Sequence, residues 1–148
     1  MKSRLATIAG AAIASILAAA MPASASADPA TGGAPIHVEL NRLEQRDSGC
    51  RVHLVVENES ARAFSSYRLD LVIFAADGII ARRVALETAP LRMHKTMVKE
   101  FDIDGLACER FGRILLNDIT ACVSDASEPR DCVSATRTSS RAAIPFDK

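Results

Sequence analysis

Tyr67-Arg68-Leu69-Asp70-Leu71-Val72-Ile73-Phe74-Ala75-Ala76-Asp77-Gly78 is the stretch that decides the fold. Tyr67, Leu69, Leu71 and Ile73 fall at every second position, the period of a strand, against Arg68 and Asp70 on the other side. From Val72 onward both sides turn apolar, as in a central strand covered on two faces. Asp77-Gly78 then predicts a tight two-residue hairpin turn, because both residues tolerate positive φ, and Ile79 to Leu86 returns as the partner strand.

Upstream, Ile36, Val38 and Leu40 alternate with His37, Glu39 and Asn41. Arg46-Asp47-Ser48-Gly49 supplies a turn, and Cys50 to Glu57 alternates again. Downstream, Ala89 to His94 is a loop, Lys95 to Ile103 a strand closed by Asp104-Gly105, and Arg113 to Cys122 a sixth strand. Val133 to Ile144 reads as a seventh, shorter and more polar. Seven short strands with no long helical period predict an all-β domain over 36–148, a seven-stranded antiparallel immunoglobulin-like sandwich.

Topology of that kind places the first-to-second and fifth-to-sixth connections at one end and the sixth-to-seventh turn at the other. Cys50 and Cys108 then share one pole, and Cys122 and Cys132 the other. Crossed pairings would need bridges as long as a strand, whereas a disulfide tolerates roughly 4.4–6.8 Å between Cα atoms. The expected bonds are Cys50–Cys108 and Cys122–Cys132, worth about 4 and about 3 kcal/mol against a total stability of about 5–15. Zinc would ask for C-x-x-C knuckles or paired histidines, and the cysteine spacings of 58, 14 and 10 contain neither.

At the start, Lys2 and Arg4 precede an uncharged run from Leu5 to Ala20, then Met21-Pro22 and the small residues Ala23 to Ala27. This is the order of a cleavable signal peptide, and the 16-residue run is shorter than the roughly 20 residues a spanning helix needs. Cleavage after Ala27 leaves a flexible lead-in over 28–35, with two prolines and two glycines, and no membrane span in the mature chain. The mature chain holds 16 Lys and Arg against 18 Asp and Glu, which offers no electrostatic footprint for nucleic acid or anionic lipid. Export to the periplasm, or secretion, is the expected localisation.

No catalytic, metal or nucleotide motif stands out. His37 and His53 occupy polar positions of neighbouring strands, but register counting from the Arg46–Gly49 turn sets Arg42, not His37, opposite His53; His94 sits in a loop. No serine has a histidine placed in sequence to activate it, and G-x-S-x-G, S-x-x-K, a phosphate loop and a dinucleotide fingerprint are all missing. Asp102, Asp104 and Glu109 cluster near Cys108 without the spacing of a calcium loop, and read as turn residues. Asp118, beside Asn117 in the sixth strand, would need Arg113 or Arg82 if it pointed inward. Asn58-Glu59-Ser60 matches the glycosylation sequon but reads as a turn. One feature concentrates charge of one sign: Arg82 and Arg83, then Arg92, His94, Lys95 and Lys99, a possible contact surface at a sheet edge, or a guard against unwanted strand pairing.

Val55-Val56-Glu57-Asn58-Glu59-Ser60, the stretch Leu69 to Gly78, and Ala89-Pro90-Leu91 together resemble small bacterial envelope proteins with FxLYD-like or related immunoglobulin-like sandwiches. Asp104-Gly105-Leu106-Ala107-Cys108 and Ile114-Leu115-Leu116-Asn117-Asp118-Ile119 resemble a family of short exported bacterial proteins of unknown function known by twin-arginine leaders; here Lys2-Ser3-Arg4 stands where that pair would be. The resemblance implies fold and compartment, and no activity. The expected function is non-enzymatic, a periplasmic domain without cofactor or metal that contacts another envelope protein; the alternative is a small-ligand or glycan binder using Arg92 to Lys99 or the loops near Cys122.

Overall fold

The computed structural model describes residues 35–124 and 131–148; the expected leader and most of the lead-in lie outside them. Eight strands form two four-stranded sheets: β1 (Ile36–Arg46), β2 (Gly49–Asn58), β3 (Phe64–Ala75), β4 (Ile80–Glu87), β5 (Lys95–Asp104), β6 (Phe111–Ser124), β7 (Thr136–Ser140) and β8 (Phe146–Asp147). One sheet runs β5-β2-β1-β7 and the other β4-β3-β6-β8. A 3₁₀ turn, Cys108–Arg110, leads into β6. The inward residues of both sheets, among them Val38, Leu40, Val52, Leu54, Leu69, Leu71, Ile73, Ile114 and Leu116, make one buried cluster. The all-β, two-sheet, two-disulfide expectation therefore stands.

Two features of the expected architecture are corrected. There are eight strands rather than seven, and the sheets are mixed: β7 runs parallel to β1, and β8 parallel to β6. The predicted strand over Val133 to Ile144 is divided. After pairing with β1 through Ser140, the chain bends over Arg141 to Pro145, crosses to the other sheet, and buries Phe146 there. Ser140 Oγ donates to Ile144 O at 2.6 Å, and Pro145 has no N–H to continue a ladder, so local hydrogen bonding favours the bend over an extended strand.

β1 also runs five residues past the predicted Asn41. A bulge between Leu40 and Arg42 explains why the alternation breaks there: the extra residue keeps Leu43 on the core side, opposite Val52, and turns Arg42 outward opposite His53, as register counting expects. The Asp77-Gly78 turn is a three-residue loop, not a two-residue one. Ala75 O accepts from Gly78 N and Ala75 N donates to Ile79 O; only Gly78 takes positive φ, at 83°, while Asp77 Oδ1 accepts from Ile79 N.

Both disulfides form as expected, with Cα separations of 4.9 Å for Cys50–Cys108 and 6.5 Å for Cys122–Cys132. Beside the first, Gly49 lets β2 approach β5: a Cβ there would lie 2.0 Å from Ile103 O. The second lies next to Tyr67, whose buried hydroxyl crosses from one sheet to the other, 2.5 Å from Thr136 Oγ1 and 3.3 Å from Cys132 O. Burial raises the Tyr67 phenol to about 12.

Candidate functional site

The outer face of the β5-β2-β1-β7 sheet collects most of the titratable side chains. Cross-strand register sets His37 beside Glu57 and His53 between β1 and β5. His53 Nε2 lies 3.0 Å from Glu44 Oε2 and its Nδ1 3.0 Å from Glu100 Oε1, so both ring nitrogens face carboxylates. A lower row pairs Arg51 with Asp102 through two hydrogen bonds of 2.7 and 2.9 Å, which hold Asp102 below the usual carboxylate range. Glu44 is lowered too, first by Arg46 and then by His53. These contacts pair the polar side chains of neighbouring strands across the outer face.

His37 adds an arrangement that sequence reading missed. Its Nε2 lies 2.7 Å from Ser139 Oγ and its Nδ1 3.1 Å from Glu57 Oε2, the order of a nucleophile, a base and an orienting acid. The expectation that no serine is placed near a histidine is thereby corrected: the pair is 102 residues apart in sequence, and the parallel β1–β7 pairing, absent from an all-antiparallel reading, brings it together.

On the outer face of the other sheet, the buried carboxylate is Asp70, not Asp118. Asp118 is exposed and accepts from its neighbour's Ile119 N, and among the described residues neither Arg113 nor Arg82 is its partner. The Asn117 side chain instead donates to Asp70 Oδ2 at 2.6 Å, and Arg83 grips Asp70 through Nε and Nη2 at 2.8 and 2.7 Å. Those hydrogen bonds, Arg83 first, hold the Asp70 carboxyl below its ordinary value despite burial. Arg113 stacks 4.2 Å over the Phe74 ring. Asp104 accepts from Ser48 Oγ, and Glu109 is exposed in the 3₁₀ turn; among the described residues no group of three or more acidic, His or Cys side chains could hold a metal.

The predicted contact residues divide between two strands on one flank. Arg82 and Arg83 lie on β4, Lys95 and Lys99 on β5, and Arg92 and His94 in the loop that joins them. β4 pairs with β3 and β5 with β2, and among the described residues neither strand has a partner on its other side. Arg82 Nη2 donates to Asp104 O at 3.0 Å, so the start of β4 sits beside the end of β5 and the two free edges share one flank. The sequence grouping mixes two situations: Arg83 is neutralised by Asp70, whereas Arg92, Lys95 and Lys99 make no ion pair among the described residues. Large apolar side chains lie exposed along the same flank and its ends: Ile79, Ile80, Met93 and Val98.

A hollow of about 480 Å³ beside the first disulfide is lined by Leu43, Cys108, Phe111, Ala142 and Ile144. With one aromatic ring in its wall it lacks the stacking surface that sugar recognition uses.

Two disulfides with no free cysteine mark a protein of an oxidising, extracytoplasmic compartment, and no helix among the described residues is long and apolar enough to cross a membrane. Fold and flank together define a disulfide-bonded two-sheet β domain with the β4 and β5 edges on one flank. Compared with family models, curated proteins and solved structures, the chain matches none.

Proposed function

We propose that this is a non-enzymatic periplasmic protein, delivered by a leader cleaved after Ala27, that binds another envelope protein along the β4–β5 flank. The observation that carries the reading is the coincidence, on one flank, of two unpaired edges with the unneutralised Arg92, Lys95 and Lys99. An unpaired edge offers main-chain donors and acceptors to an incoming strand and needs no signature side chain. We further read the fold as an immunoglobulin-like variant: β2 pairs with β5 and β3 with β6, the interlocked pairing of Greek-key sandwiches. The resemblance of Asp104–Cys108 and Ile114–Ile119 to short exported bacterial proteins supports the same compartment.

Photo-crosslinkers placed at Ile80 and Val98, on the free edges, and at Ser140, on the far flank, test the reading in intact cells. Protein adducts from the first two and none from the third are expected. Adducts from all three alike, or from Ser140 alone, would overturn it.

A second reading is favoured by one observation, the alignment of Ser139, His37 and Glu57. On that reading Ser139 Oγ adds to an acyl carbonyl while His37 Nε2 takes its proton; the carbonyl π pair moves to oxygen and returns as the bond to the leaving group breaks, and the leaving group departs with the proton from His37. A fluorophosphonate probe that labels the wild-type protein but not Ser139→Ala would establish it, and absence of labelling would leave the binding reading.

A further inference from the structure

β5 is an edge strand with an unusual inner side. Met97, Phe101 and Ile103 pack on the core, and alternation puts Lys95 and Lys99 on the same side of the strand, flanking Met97 at two residues either way. Lys99 is half-buried there. On β4, register does the same for Arg82, which falls opposite Ile73 in line with Val84 and Leu86. Inward-pointing cations at an edge are expensive beside an apolar core and are used to refuse generic strands. They also disfavour a second copy of this chain in the register that would align the two copies at Met97. An antiparallel β5–β5 pairing centred on Met97 would set Lys95 directly against Lys99 of the other copy, and like charges opposed across a ladder repel.

The refusal is selective, because the cations surround an apolar spot. Pro90, Arg92, Lys95 and Met97 line a hollow of about 210 Å³, room for one apolar side chain with a carboxylate on either side. The carboxylates on β5 do not compensate these cations. Glu100 is engaged by His53, Asp102 by Arg51 and Asp104 by Ser48.

We propose that the β5 edge takes an extended acidic segment of pattern Glu-x-Val-x-Glu, or its aspartate and aliphatic equivalents, with the apolar side chain over Met97 and the carboxylates on Lys95, Lys99 and Arg92. The spacing follows from the pleat. Residues directly opposite one another across a ladder share a face, so the lysine, methionine, lysine order at alternate positions of β5 is complemented by acid, apolar, acid at alternate positions of the incoming strand. This inference rests on the reading of the β4–β5 flank as the partner surface, and names the partner's chemistry.

The test uses the oxidised mature protein and three fluorescein-labelled peptides: one carrying Glu-x-Val-x-Glu with threonine at each x, one of the same composition with the two glutamates adjacent, and one with glutamine for glutamate. The first is expected to bind most tightly and to slow amide exchange over residues 95–99. Lys99→Glu is expected to weaken it about tenfold, with the fold intact by circular dichroism. Equal binding of all three peptides, indifference to Lys99→Glu and Lys95→Gln, or equal competition by a soluble anionic polysaccharide would overturn the inference. The crosslinks from Ile80 and Val98 separate the two failures. If those adducts persist while the peptides fail, the acidic pattern falls and the flank stands; if the adducts are lost as well, both fall.

Discussion

The flank of β7 and β8 and the flank of β4 and β5 solve the same problem in opposite ways. At the first, the chain covers β1 and β6 with its own short last strands, which form the edges there. β7 lies parallel on β1, the Arg141–Pro145 bend carries the backbone across, and β8 inserts Phe146 beside β6. Lys148 Nζ then caps Val133 O and Thr136 O, and Tyr67 holds Thr136 and Cys132 from the facing sheet. At the second flank the loop from β4 to β5 crosses between the sheets at one end, held by Phe64 and Asn58, Arg82 reaches Asp104 O at the other, and charge guards the strands between. A short edge pinned by its own chain contributes to stability, whereas a longer, charged edge contributes to selectivity.

The contrast breaks most visibly through Phe146→Ala. It removes a ring that is 5% exposed and should cost about 3–5 kcal/mol, read as a lower denaturant midpoint. A loss below about 1 kcal/mol would mean that the crossing segment closes nothing.

Tyr67 sharpens the comparison by pH. The folded phenol is raised to about 12, above the roughly 10 of an unfolded chain, so the neutral form is the one the fold holds. Its contribution is complete below pH ~10, declines as pH rises through the unfolded value, and levels off near 12, a loss of about 3 kcal/mol. Tyr67→Phe should cost about 1 kcal/mol at neutral pH and flatten that alkaline decline relative to wild type. Equal alkaline slopes for the two proteins would contradict the assignment.

The smallest effect belongs to the open flank. Ile80→Thr and Val98→Thr change side chains that are 61% and 60% exposed and should shift stability by no more than about 0.5 kcal/mol, while altering crosslinking. A larger destabilisation would show these residues to be part of the fold's own closure.

Wherever side chains alternated without interruption, the sequence was legible: the central strand at Tyr67–Ala75, the hairpin after it, the pairing of Arg42 with His53 and both disulfides. It became illegible where one residue changes the count. The bulge at Asn41 hides the second half of β1, and the bend after Ser140 hides the passage of the last segment between sheets. Asp70 and Asp118 sit opposite one another on β3 and β6, and periodicity alone does not say which is sealed; Arg83 and Asn117 decide it for Asp70. Ser139 and His37 share no local signal at all, because their proximity depends on a parallel pairing of the two ends of the domain.

Asn58 is 2% exposed; its amide nitrogen donates to Arg62 O and Arg92 O, and its oxygen accepts from Ser60 N and Oγ. In a eukaryotic secretory host, that sequon would be open to sugar transfer only before the domain closes around it. The fraction of chains emerging with an oligosaccharide there would serve as a clock, counting those that the transferase reached before folding did.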